Sequence, residues 1–298
     1  MRWTWLTVLA LACGSGTIGD SEGTDSTDMT DVTDDTDVQP EPSVFTESGD
    51  ASASTDTGSL AIDGRCTLNW TRYRPDGEPG EVLVILVHGF SRSQAQMAGW
   101  ATHMATWGAE VVTPDMCFLR AFSTDHPANG AHVAALAEEM SDGRPVVLAG
   151  YSAGGLAAVL GASQTDNVGV LLLDPVDNND LGANAMGSIP SPVGGLFADA
   201  SRCNADSNGI AMAGLASDSR LWRLDGANHC HFESPTDRVC QTLCGQVEAG
   251  DAPMTETIQG LAAAFVSWRG GLDASGEEWW TEGTEANGSL PATLSALP

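Results

Sequence analysis

Three residue types at suitable places could move an acyl group. Gly150-Tyr151-Ser152-Ala153-Gly154 sets a serine in a G-x-S-x-G pattern, which at a sharp strand-to-helix turn exposes the hydroxyl for attack on a carbonyl carbon. A serine hydroxyl is a weak nucleophile until a neighbouring base takes its proton. His229, closing the stretch Gly226-Ala227-Asn228-His229, is the expected base. His231, two residues on, would face the other way in an extended loop and is the rival. The imidazole in turn needs a carboxylate to hold its tautomer and to stabilise imidazolium. Asp174 and Asp199 each follow an apolar run; Asp174 is the expected acid, Asp199 the alternative, with Asp177 behind both. The N–H of Ala153, at the positive end of a helix, is placed where an oxyanion would form.

Those residues need elements to position them, and the hydrophobic pattern supplies them. Val146-Val147-Leu148-Ala149 is too short for a helix, whereas 153–160 is rich in Ala and Leu, so Ser152 falls between a strand and a helix. Gly150 and Gly154 are expected where any Cβ would strike the neighbouring strand or helix. The runs 82–87, 109–113, 168–173, 193–198 and 221–224 read as further buried strands, and 97–107, 131–140 and 255–268 as helices. Apolar runs without alternation belong to strands buried on both faces of a parallel sheet. Strands and helices in alternation therefore predict a doubly wound, mostly parallel α/β sheet, with an antiparallel strand over 66–75 ahead of it. In such sheets ligand-facing residues lie beyond the carboxyl ends of the strands, where Ser152, Asp174, Asp199 and His229 all fall. The segment 177–193 is too short for a helical lid. His88, His103, His126 and His132 read as structural.

Val87-His88-Gly89-Phe90, Gly150-Tyr151-Ser152-Ala153-Gly154-Gly155 and Gly226-Ala227-Asn228-His229 together resemble the α/β-hydrolase superfamily. Within it the chain is similar to the lidless group that includes chlorophyllases and cutinase-like polyester hydrolases. The resemblance covers about 82–269. It implies the α/β-hydrolase fold, the chain order Ser, Asp, His, no metal and no organic cofactor, and an oxyanion hole formed by the N–H groups of Phe90 and Ala153. Leu172-Leu173-Asp174-Pro175-Val176-Asp177 resembles the Asp-Pro-Val stretch of chlorophyllases and the Leu-Asp-Pro stretch of pancreatic-type lipases, which implies Asp174 as the acid. The base loop resembles that of polyester hydrolases, whose acid follows the next strand, and this keeps Asp199 open. Cutinase-like polyester hydrolases often tie the acid loop to the base loop by a disulfide, which implies the pair Cys203 and Cys230. Substrate contacts are implied at Phe90 and Val176. The expected activity is hydrolysis of lipid-like, polyester or other bulky carboxylic esters through an acyl-enzyme. Amide or thioester cleavage by the same groups, and a non-catalytic surface binding module, remain alternatives.

The charge balance narrows the partners. Forty acidic residues face twelve basic ones, giving −28, so nucleic acid and anionic lipid surfaces are not expected partners. Residues 14–59 carry no basic side chain and little apolar surface, and read as a disordered acidic tether. Ahead of it, Met1-Arg2, an apolar stretch over 3–12 and Leu9-Ala10-Leu11-Ala12-Cys13 resemble a bacterial lipoprotein signal in which Cys13 is lipidated; simple signal cleavage is the alternative. The apolar stretch is only about half of the roughly twenty residues that a membrane span needs. Contact with a membrane is thus expected only through a lipid anchor, and the protein is expected to be secreted or lipid-anchored on the bacterial cell envelope. Without Cys13, six of the seven cysteines remain, enough for three disulfides in an oxidising compartment. The expected organisation is signal 1–13, tether 14–59, one catalytic domain 60–272 and an irregular arm 273–298, in a monomer.

Overall fold

A computed structural model describes residues 44–298; the candidate signal, Cys13 and most of the tether lie outside the described residues. Two antiparallel strands, β1 (Ala53–Asp63) and β2 (Cys66–Pro75), precede the apolar runs. Those runs form β3 (Val82–Val87), β4 (Ala109–Asp115), β5 (Val146–Tyr151), β6 (Gly169–Leu173), β7 (Val193–Phe197) and β8 (Ser219–Leu224). A short β9 (Leu294–Ala296) completes one nine-stranded sheet in the order β1-β2-β4-β3-β5-β6-β7-β8-β9. The strands from β4 across to β8 pair in parallel, as buried Val/Ile/Leu runs do, and the antiparallel strands stand at the two edges.

Helices cover both faces. On one lie α1 (Ala98–Thr106) and, much later in the chain, α7 (Ala252–Gly270), whose Trp100, Met104, Leu261 and Phe265 share a core with Val84, Leu86 and Val147. On the other lie α2 (His126–Ser141) and α3 (Ala153–Ala162), whose Val133, Leu156 and Val159 meet Leu83, Ile85 and Leu148. Helix α2 starts ahead of the expected 131 because the Asp125 carboxylate accepts the Ala128 N–H and Pro127 suits the first turn. Between β6 and β7 stands only the six-residue α4 (Leu181–Met186). α5 (Gly209–Ala213) and α6 (Arg238–Cys244) are also short, at five and seven residues, and α8 (Gly276–Trp279) and α9 (Glu285–Gly288) lie in the C-terminal arm. No helix among the described residues is long and apolar enough to cross a membrane.

Two boundaries differ from expectation. The domain starts well before 60: β1 pairs with β2 from Ala53↔Pro75 to Asp63↔Cys66, and Phe45 is fully buried with its ring 4.4 Å from that of Trp107. Composition underrated this segment because the β1–β2 ladder is made by backbone groups and requires no apolar side chains. The arm beyond 272 is not irregular either. Trp279 and Trp280 are buried, the Trp280 indole donates to the Leu261 carbonyl at 2.8 Å, and β9 adds an antiparallel edge with Leu294 opposite Leu224.

Candidate active site

Strand register brings the candidate nucleophile and the candidate acid side by side. Tyr151 pairs with Leu173 at the carboxyl ends of β5 and β6, so the next residues, Ser152 and Asp174, emerge as neighbours. Both leave the sheet through left-handed backbone angles, φ 56° at Ser152 and φ 42° at Asp174. Such angles in residues with a Cβ persist where the surroundings impose them. Here the Ser152 N–H donates to the Leu173 carbonyl at 3.0 Å and the Ser152 carbonyl accepts the N–H groups of Gly155 and Val176. The elbow also needs its glycines. A Cβ on Gly154 would run into the carbonyl oxygens of Val87 and His88, and one on Gly150 into the Gly154 carbonyl.

The candidate base arrives from the loop after β8. His229 Nδ1–H donates to Asp174 Oδ2 at 2.5 Å, and Ser152 Oγ–H donates to His229 Nε2 at 3.0 Å. All three side chains are buried, Asp174 completely. The carboxylate fixes the tautomer: with Nδ1 carrying the proton, the Nε2 lone pair faces the serine. The Tyr151 ring lies 4.7 Å from the imidazole and forms its floor. Burial, with the Glu233 and Asp174 carboxylates beside it, holds the Tyr151 phenol well above its ordinary pKa of 10.0 and therefore neutral.

The rival groups are engaged elsewhere. His231 Nδ1 accepts the Asn228 N–H and its Nε2–H donates to Asp251, so this ring braces the loop. Asp199 is exposed, and its Oδ2 accepts the Gly226 N–H at 3.1 Å. The Asp177 carboxylate takes the N–H groups of Gly182 and Ala183 at the start of α4.

A loop between β3 and α1 closes the other side. A Cβ on Gly89 would lie 3.1 Å from Ser152 Cβ, so the loop that carries Phe90 passes beside the candidate nucleophile. Among the described residues neither the Phe90 N–H nor the one of Ala153 donates to a protein acceptor. His88 holds the loop: its Nδ1–H donates to the Gly89 carbonyl and its Nε2 accepts the Met116 N–H, while burial pushes its pKa below 6.5. Two residues beyond Phe90, Arg92 forms a two-pronged pair with the buried Glu233, at 2.5 and 2.8 Å, and reaches Asp237 at 2.9 Å. The pair joins the loop after β3 to the loop after β8. Burial raises the Glu233 carboxyl above its usual range despite the guanidinium. The Phe90 side chain is exposed, Val176 half-buried.

Six cysteines pair, but not as the resemblance implied. Cys203 bonds Cys244 and Cys230 bonds Cys240, with Cα separations of 5.7 and 5.8 Å; the third disulfide is Cys66–Cys117. Cys203 and Cys230 each find a partner on α6 because Cys240 and Cys244, four residues apart, project from one face of that helix. The Cys230, Cys240 and Cys244 sulfurs lie within 4.8 Å of one another, a cluster that the two disulfides account for.

Sequence reasoning missed three contributors: the Tyr151 floor, the Arg92–Glu233 pair and Asn204, whose amide donates to both Asp174 oxygens at 3.2 Å. Only the spacing Ser201-x-x-Asn204, which suits a capped turn, marks the last of these.

The model of the Alpha/beta hydrolase family matches residues 84–214, a span with Ser152, Asp174 and Asn204 inside it and His229 beyond it. The chain has the alpha/beta-hydrolase fold. The match supports an alpha/beta hydrolase superfamily member and hydrolase activity in general. Comparison with curated proteins found no match. In this hydrolase fold the groups gather beyond the carboxyl ends of β5, β6 and β8. A groove of about 840 Å³ lined by Arg144, Val146 and Asn167 lies at the opposite strand ends, away from the serine.

Proposed function

We propose that this protein is a serine hydrolase of carboxylic esters, acting outside the cytoplasm through an acyl-enzyme. One observation carries the reading: the continuous hydrogen-bonded line from Ser152 Oγ through His229 to Asp174. In the first half-reaction His229 Nε2 takes the Ser152 proton as Oγ attacks the ester carbonyl, and the Phe90 and Ala153 N–H groups receive the oxyanion. Imidazolium, held by Asp174, then protonates the departing alkoxide. Water, activated by the same imidazole, releases the acid and restores Ser152. The chain's own groups complete this cycle. The short insert around α4 and the exposed Phe90 favour bulky or extended esters reaching the site at the protein surface. Three disulfides and the lipoprotein-like start support an extracytoplasmic location.

A fluorophosphonate challenge of the full chain with mass mapping of the adduct tests this reading. Labelling is expected at Ser152, to vanish in His229→Ala and to persist in His231→Ala. A folded protein that takes no label would overturn the reading.

A further inference from the structure

The turn 201–207 contains three successive left-handed residues, Ala205, Asp206 and Ser207, with φ of 51°, 55° and 59°. At its centre the Asn204 side chain is completely buried. Its Oδ1 accepts the N–H groups of Ser201 at 2.8 Å and Ser207 at 3.2 Å, which meets the needs of the turn itself. Its Nδ2 does something else. It donates to both carboxylate oxygens of Asp174, at 3.2 Å each, and to the Asp199 carbonyl at 3.0 Å. The amide has only this orientation, because a flip would set its NH2 against two N–H donors. The Asp174 carboxylate thus receives the Ala198 N–H at 3.0 Å, the Asn204 amide and the His229 Nδ1–H. Together these fix its plane and leave Oδ2 directed at the imidazole.

The disulfides extend the arrangement. Cys203, next to Asn204, is bonded to Cys244; Cys230, next to His229, is bonded to Cys240. The holder of the acid and the base are therefore anchored on successive turns of one helix, α6.

We propose that Asn204 is a positioning residue for the acyl transfer described above, on which this inference rests: it acts through Asp174 by holding the carboxylate in the plane and charge state that His229 requires. A carboxylate deprived of the amide N–H that its two oxygens share becomes more basic and holds the Nδ1 proton, and with it imidazolium, more firmly. The other groups around the imidazole are Ser152 and Tyr151, with Glu233 and Arg92 acting on Tyr151 from behind and Asp199 at the surface. A change confined to Asn204 leaves them in place.

The test uses the full chain carrying Asn204→Ala, which offers Asp174 no donor, and Asn204→Ser, whose short hydroxyl keeps an acceptor for the turn. Hydrolysis of a p-nitrophenyl ester and fluorophosphonate labelling of Ser152 are followed against pH, with near-ultraviolet circular dichroism reporting the fold. The expected result is kcat lowered by roughly tenfold to a hundredfold at unchanged KM, part of what a well-placed general base contributes. The acid limb of the profile should move to higher pH. Folded variants with kcat within about twofold of the parent and an unmoved acid limb would overturn the proposal. So would loss of the folded state in both, which would assign Asn204 to the turn alone. A parent protein unlabelled at Ser152 defeats the hydrolase reading and this one together, whereas a labelled parent with unaffected variants defeats this one only.

Discussion

At the residue scale, the competition between Asp174 and Asp199 turns on burial and direction. Asp174 is completely buried and points Oδ2 at His229, whereas Asp199 is exposed and spends Oδ2 on the Gly226 N–H. Asp174→Asn should therefore lower kcat by about four orders of magnitude, because the amide would force the wrong imidazole tautomer. Asp199→Asn should leave kcat within a few-fold, and steady-state kinetics on one ester substrate compares the two. Equal losses in both variants would refute the assignment. The serine was legible because G-x-S-x-G between an apolar run and an Ala/Leu-rich run has few other uses. The choice of acid was not, since both aspartates follow buried strands and nothing in their spacing reports which carboxylate turns inward. Asn204 was less legible still: its role depends on a tertiary contact across 30 residues of chain.

At the element scale, the site is a meeting of loops, and its precision depends on how those loops are fastened. Arg92 and Glu233 fasten the oxyanion-side loop to the base loop. Arg92→Ala would leave the Glu233 carboxylate buried without a cation, a change worth about 3–5 kcal/mol. Burial already raises this carboxyl's pKa, so in the variant it can escape by taking a proton. The loss of stability should thus be larger near pH 8 than near pH 5, and urea unfolding at the two pH values checks this. An equal loss at both would show that Glu233 does not carry the effect. The parallel strands were readable from their unbroken apolar runs, and the helices from composition. The edges were not: β1 is held by backbone pairing along a polar sequence, and β9 is three residues long. The disulfide partners were hidden for a similar reason. The i, i+4 relation of Cys240 and Cys244 has meaning only once 238–244 is known to be helical.

At the scale of the whole molecule, the buried histidines outside the site set how stability responds to acid. His88 and His103 are both held below their ordinary pKa of 6.5, mainly by burial. As the pH falls below 6.5 the unfolded chain gains protons that these native imidazoles refuse. Stability present above that value is lost as the pH drops, by up to about 1.4 kcal/mol per pH unit for each histidine. Glu233, whose native pKa is raised above 4.5, acts in the opposite sense, but only near the carboxylate range. The urea midpoint should therefore decline between pH 7 and pH 5.5, and a constant midpoint would show that neither histidine titrates on unfolding. The two bonds to α6 have one more effect, on the connectivity of the chain. Residues 234–237 lie inside the ring that Cys230–Cys240 closes, so a protease cutting there would open a loop without releasing a fragment. Such a nicked molecule should migrate as one species until it is reduced, with His229 still joined covalently to both halves.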